Sequence, residues 1–240
     1  MTVIKIIIDS EKNIAERAAQ RYVELLKEKP DAVLGGATGS TPLGLYAELA
    51  RLCKAGELSF AKARTFNLDE YVGLDGSHDQ SYRYFMNENL FKHIDIDINN
   101  TRVPDGIDTS AAAAYDEEIA AAGGIDLQLL GIGVDGHIGF NEPGTPWDSI
   151  THVVELHPST REVNARFFNS IDEVPTHAVT MGIKTVMNAR SIILIAIGKS
   201  KAEIVRDMLK GPVTTDVPAS ILQLHPFVEV YLDEEAASLL

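Results

Sequence analysis

Apolar residues run through this chain in two rhythms. Short β-branched or leucine-rich runs fall at 3–8, 32–34, 63–68, 125–132, 174–180, 191–197 and 227–232, which is the pattern of buried strands. Between them the spacing lengthens to a helical period at 11–28, 42–54, 81–91, 110–122 and 201–209. Ser10 suits the N-cap of the first helix, and Pro42 suits the first turn of the second, where its missing N–H costs nothing. Strands alternating with helices predict an α/β fold, a doubly wound, mostly parallel sheet with helices on both faces. No repeat, low-complexity tract or linker divides the chain, so a single domain is expected over 1–240. From 145 to 173 the alternation fails apart from a short strand pattern at 151–156. An insertion of that length behind a loop rich in polar chemistry is expected to be a lid.

That loop is the stretch Leu129-Leu130-Gly131-Ile132-Gly133-Val134-Asp135-Gly136-His137-Ile138-Gly139-Phe140-Asn141-Glu142-Pro143-Gly144. A buried strand ends in glycines, and Asp135, His137 and Glu142 follow within eight residues. Ligands of open α/β sheets bind beyond the carboxyl ends of strands, which makes these three side chains candidates for chemistry. Gly131, Gly133 and Gly136 match a dinucleotide-binding fingerprint, but that motif must open a helix, and Gly139, Pro143, Gly144 and Pro146 oppose one. Carboxylate and imidazole would also suit a divalent ion, although no second cluster has ligand spacing. A histidine flanked by acids at a strand end fits general acid–base work better, because the acids orient the ring and favour its protonated form.

A second glycine-rich turn, Gly35-Gly36-Ala37-Thr38-Gly39-Ser40-Thr41-Pro42, leads from a strand into a helix. Backbone N–H groups and hydroxyls at a helix start form an anion site. The lysine of a nucleotide-binding P-loop is missing, so a capped turn and a phosphate site remain the two readings. Gly198-Lys199-Ser200-Lys201 and Arg166 add cations that could converge on the same phosphate. Asp69 ends a strand, where a turn former is the plain expectation. His78, His93, His152, His157, His177 and His225 have neighbourhoods that suggest surface or structural roles.

Composition narrows the classes. Hydrophobic residues make up 45% of the 240, as in ordinary globular proteins, and the net charge of −14 opposes nucleic-acid or anionic-membrane surfaces. An anionic ligand therefore has to meet a local cationic pocket. No apolar stretch is long enough to span a bilayer, and the N-terminus does not resemble a signal peptide. The lone Cys53 excludes an intrachain disulfide and suits a cytoplasmic location.

Assembled in order, these segments resemble the glucosamine-6-phosphate deaminase family. The resemblance rests on Ala37-Thr38-Gly39-Ser40-Thr41-Pro42, Phe66-Asn67-Leu68-Asp69-Glu70-Tyr71-Val72-Gly73-Leu74, Ser81-Tyr82 with Phe85-Met86, and Gly133 through Pro143. Asn164 to Phe168 and Leu222-Gln223-Leu224-His225-Pro226 also fit. The resemblance implies a Rossmann-like sheet and conversion of glucosamine 6-phosphate and water to fructose 6-phosphate and ammonia, with no metal or organic cofactor. It implies Asp69 as the base that moves a proton between C2 and C1, and His137 as the ring-opening group oriented by Asp135 and Glu142. The phosphate would lie on Thr38, Gly39, Ser40 and Thr41 with Arg166 and Lys201. Some family members carry a C-terminal extension and a basic segment behind the histidine loop that build an allosteric site. Here the chain stops soon after its last strand pattern, and 145–154 holds no Arg or Lys. The expectation is a non-allosteric enzyme, a monomer or small homo-oligomer rather than a hexamer. A lactone hydrolase of the 6-phosphogluconolactonase kind and a non-catalytic sugar-phosphate sensor are the competing readings.

Overall fold

The computed structural model describes residues 3–168 and 170–240. Met1 and Thr2, ahead of the first expected strand, and Asn169, within the expected lid, lie outside the described residues. Seven strands form one parallel sheet: β1 (Val3–Ile8), β2 (Val33–Gly36), β3 (Arg64–Asn67), β5 (Thr101–Arg102), β6 (Leu127–Leu130), β9 (Ser191–Ala196) and β10 (Phe227–Leu232). Their spatial order is β1-β10-β9-β6-β2-β3-β5. β6 lies mid-sheet and is buried at every position, so its near-continuous apolar run reflects coverage on both faces. Leu127, Leu129 and Leu130 are each about 1% exposed, and burial of each contributes roughly 1.5–3 kcal/mol.

Helices cover both faces. α1 (Glu11–Glu28) begins at Ser10, whose hydroxyl accepts the Asn13 N–H, and buries Ile14, Ala18, Tyr22 and Leu26 along one stripe. It packs on α2 (Leu43–Lys54). Thr65 of β3 faces the side on which Tyr22 and Tyr46 lie. Its neighbour Phe66 points the opposite way and meets Tyr115 of α4 (Ala114–Ala121) edge-on at 5.6 Å. α7 (Ala202–Lys210) packs against a 3₁₀ turn at Pro218–Leu224.

A second sheet has three short antiparallel strands in the order β4-β8-β7: β4 (Asp69–Tyr71), β8 (His177–Thr180) and β7 (His152–Glu155); β8 and β7 fall within the strand patterns expected at 174–180 and 151–156, and only β4 was not expected. Three-residue β4 is too short to show alternation. The expected lid is therefore divided. Residues 152–155 pair along β8, Thr151 N–H donates to Asp116 Oδ2 at 2.8 Å, and the Ser149 hydroxyl accepts the Ile183 N–H at 2.9 Å. That half belongs to the body of the molecule, because Val154 packs into an apolar cluster with Tyr71, Phe140 and Leu156. Beyond it come α5 (Pro158–Asn164) and a 3₁₀ turn at Ala165–Phe167, where no element was expected. α3 (Tyr82–Asn89) starts at Ser81, and α6 (Ile183–Met187) links β8 to β9.

Candidate active site

The chain leaves β2 toward β3 and β5 on one side, and leaves β6 toward β9 and β10 on the other. The adjacent strands β2 and β6 thus flank a reversal of strand order, where α/β sheets open a crevice for ligands. Because the sheet is parallel, the segments following β2, β3, β6 and β9 all gather at that edge. These are the segments that carry the 38–41 turn, Asp69, His137 and Lys201.

Asp69 opens β4 and pairs with Thr180 of β8. It is 6% exposed, and among the described residues no hydrogen bond satisfies its carboxylate. Burial, reinforced by the neighbouring Glu70 charge, pushes its pKa from 3.8 to about 8. Glu70 points elsewhere and accepts the N–H groups of Tyr71, Tyr82 and Arg83 at 2.8–2.9 Å, joining β4 to the start of α3. Burial raises the Glu70 carboxyl, and those three N–H groups oppose the rise.

His137 lies in the turn after β6. Its Nδ1 is 2.7 Å from Asp135 Oδ1, an ion-pair distance with the ring N–H poorly aligned, and Asp135 Oδ1 also accepts the His137 backbone N–H at 3.2 Å. Burial alone would raise the Asp135 carboxyl, but the imidazole beside it holds the pKa at about 2. The ring rests directly on Gly133. A Cβ there would come within 2.3 Å of His137 Nδ1 and Cε1, so only glycine leaves room for the ring. Further along, Gly139 has φ +58°, and a Cβ on it would lie 2.9 Å from Thr180 Oγ1 and 3.6 Å from Asp69 Oδ2. The histidine loop therefore packs against the Asp69 carboxylate. Two groups hold it there: Thr180 Oγ1 accepts the Phe140 N–H at 3.1 Å, and the buried Asn141 amide donates to the carbonyls of Ile138 and Met181 at 2.9 and 2.7 Å.

The 38–41 turn lies beside this pair. Tyr46 OH donates to Ala37 O at 2.5 Å and accepts Ala37 N–H at 3.2 Å, and the Asp69 charge contributes to raising the Tyr46 phenol after burial itself. The amides and hydroxyls of Thr38, Gly39, Ser40 and Thr41 make no hydrogen bond to described residues and sit ahead of α2. Lys201 Nζ donates to Ile132 O at 2.7 Å, which brings the lysine over the end of β6. Burial lowers its pKa, Asp135 opposes that, and Arg166 adds to it, so all three charges share one region. Contacts and charges link the expected residues in pairs: His137 with Asp135, the His137 loop with Asp69 at Gly139, Lys201 with Asp135, and Asp69 with Tyr46, which holds Ala37 at the start of the turn that carries Thr38, Gly39, Ser40 and Thr41. Arg166 joins Lys201 from the 3₁₀ turn after α5.

Glu142 is placed differently from the other acids. Its Oε1 accepts the Thr160 hydroxyl at 2.6 Å and the His157 N–H at 3.4 Å, so its hydrogen bonds run to the segment around α5. Thr180, Asn141, Tyr46 and Thr160 were missed by sequence reasoning. Each acts through tertiary contacts 9 to 40 residues away in the chain, and only Asn141 sat inside a motif already noted. Among the described residues no three His, Cys, Asp or Glu side chains are grouped to hold a metal ion.

Residues 9–230 match the family model of glucosamine-6-phosphate isomerases/6-phosphogluconolactonase. The chain is 52% identical to a glucosamine-6-phosphate deaminase of Clostridium perfringens over 98% of both proteins. It is 52% identical to one from Geobacillus over 95% of this chain and 92% of that one. A solved structure described as a monomeric glucosamine-6-phosphate deaminase of the NagB superfamily superposes with a TM-score of 0.96 at 47% identity, covering 99% of this chain and all of that one. A 6-phosphogluconolactonase from Trypanosoma cruzi shares the fold, with a TM-score of 0.80 at 21% identity. The chain belongs to the glucosamine-6-phosphate isomerase/6-phosphogluconolactonase family.

Proposed function

We propose that the chain is a glucosamine-6-phosphate deaminase, converting glucosamine 6-phosphate and water to fructose 6-phosphate and ammonia. The observation that carries this reading is the packing of the His137 loop, at Gly139, against a buried Asp69 carboxylate beside an unsatisfied turn of amides and hydroxyls. Thr38, Gly39, Ser40 and Thr41 would take the phosphate, aided by the start of α2, with Lys201 and Arg166 supplying positive charge. Anchoring the phosphate orients the reacting carbons, which contributes as much as the acids and bases themselves.

His137 accepts the proton of the anomeric hydroxyl and delivers it to the ring oxygen, opening the pyranose. Asp135, 2.7 Å from Nδ1, holds the imidazole in place. Asp69 then removes the C2 proton and returns it to C1. The resulting C2 imine adds water and expels ammonia. A base with a pKa of about 8 in the free enzyme is strong enough for a carbon acid, and the substrate's ammonium group on C2 favours its ionised form. No step requires an oxidant or a cofactor. Glu142 sits at the far end of the same loop and connects it to the α5 segment, which we take as the moving part of the lid.

No helix among the described residues is long and apolar enough to cross a membrane. We place the enzyme in the cytoplasm, acting as a monomer or small non-hexameric assembly with hyperbolic kinetics. The absence of Arg and Lys from 145–154 and a relative described as monomeric support that view. The test is ammonia release from glucosamine 6-phosphate by the wild type, Asp69→Asn and His137→Gln, with EDTA present and 6-phosphogluconolactone as a parallel substrate. Activity in the wild type alone supports the assignment. Lactone hydrolysis without ammonia release, or full activity in Asp69→Asn, overturns it.

A further inference from the structure

Thr160 is the third residue of α5 and is 8% exposed. No carbonyl of that helix lies three or four residues before it to take its hydroxyl. Here the hydroxyl instead donates to Glu142 Oε1 at 2.6 Å, 18 residues back and in the histidine loop. That length is typical of a charge-assisted hydrogen bond, roughly twice as strong as a neutral one. The same stretch also carries His157, whose N–H reaches the same oxygen at 3.4 Å, and Arg166, beside Lys201 at the phosphate end of the crevice. Arg161 fixes its far side through the carbonyls of Ile171 and Val174 at 3.1 Å. One short segment therefore touches Glu142 at one end and the phosphate-binding cations at the other.

We propose that Thr160 is a positioning residue that acts through Glu142, so that seating the substrate phosphate against the α5 segment also aims the Glu142 carboxylate. This inference rests on the deaminase reading and deepens it. The contact through which Thr160 acts is the one to Glu142. It makes the orientation of a catalytic-loop carboxylate depend on the position of the segment that carries Arg166. Phosphate held by Arg166 and Lys201 would thereby favour the arrangement in which Glu142 is fixed, and the cost of losing Thr160 falls on turnover rather than on binding.

The experiment compares the wild type with Thr160→Val, Thr160→Ser, Glu142→Gln and the Thr160→Val/Glu142→Gln double variant. It measures kcat and KM for ammonia release and the inhibition constant of inorganic phosphate. Removing one hydrogen bond to a charged group should lower kcat in Thr160→Val by about ten- to hundredfold, with KM and phosphate inhibition within about twofold. Thr160→Ser keeps the hydroxyl and should stay within about threefold of the wild type. In the Glu142→Gln background the valine substitution should add less than about twofold, since its route of action is already gone. Thr160→Ala carries the same comparison if the valine variant does not fold. Near-wild-type kcat in Thr160→Val, an equal loss in Thr160→Ser, or independent effects in the double variant would overturn the inference and leave the deaminase reading standing. A wild type that releases no ammonia overturns both.

Discussion

Replacing Asp69 by asparagine should abolish activity and stabilise the free protein, by an amount that grows with pH. In the folded chain the carboxyl keeps its proton up to about pH 8, because burial and the Glu70 charge both disfavour the anion. In the unfolded chain it ionises near its ordinary value of 3.8. Between those values the folded state binds more protons, so this group's contribution to stability is full below about pH 4 and is lost as pH rises toward 8. At pH 7 the interval is roughly three units, and at about 1.36 kcal/mol per unit the ceiling is about 4 kcal/mol. Asparagine never ionises and avoids that loss, but its extra N–H must be accommodated among buried neighbours. The expected net gain is about 1–3 kcal/mol, or roughly 3–10 °C in melting temperature for a chain of this size. Melting of the two proteins followed by circular dichroism at pH 5 and pH 8 measures the gap. A variant that melts at or below the wild type at pH 8, or a gap that does not widen with pH, refutes the reasoning.

Other substitutions test separate parts of the crevice. Gly133→Ala places a methyl within 2.3 Å of the His137 ring, so kcat should fall by about tenfold or more as the ring is displaced, read in the ammonia assay. Asp135→Asn removes the charge that pairs with His137 and should lower kcat by about 10²–10⁴ with little change in KM. Glu70→Gln places an amide N–H against backbone donors and should cost about 1–3 kcal/mol in denaturant melts. It also removes the like charge beside Asp69, so the acid limb of log kcat/KM should move to lower pH. Asp126, buried between Lys29 and Arg190 at the opposite edge of the sheet, is a control. Asp126→Ala should cost about 3–5 kcal/mol of stability while specific activity at low temperature persists.

The central strands of the large parallel sheet were legible because β6 and β9 are buried on both faces and write themselves as apolar runs, whereas two-residue β5 left no such run. β10, Phe227–Leu232, occupies the expected interval, and the helices at 11–28 and 42–54 begin where Ser10 and Pro42 predict. The antiparallel sheet was legible only in part: β7 and β8 fall inside the strand patterns expected at 151–156 and 174–180, whereas β4 has three residues and continues almost directly from β3, so no break in pattern marks it. The same cause concealed the setting of Asp69, whose strand-end position suggests only a turn until Thr180 is seen beside it. His137 with Asp135 could be read from spacing because their contact is local. Glu142, equally near in sequence, could not, since its partners, His157 just ahead of α5 and Thr160 within it, lie 15 and 18 residues downstream.

The order of strands also dictates how this molecule comes into being. The first strand, at the border of the large sheet, has β10 as its one neighbour there, so residues from Val3 to Ile8 wait for residues from Phe227 to Leu232. A ribosome must release residues through Leu232 before that seam can close, and joining segments so distant is slow for entropic reasons. Meanwhile an isoleucine-rich ribbon stays open to strangers. Newly made chains are therefore most exposed to chaperones and to clumping in the interval between emergence of β1 and emergence of β10, and removing residues 226–240 should leave the opening ribbon unpaired for good.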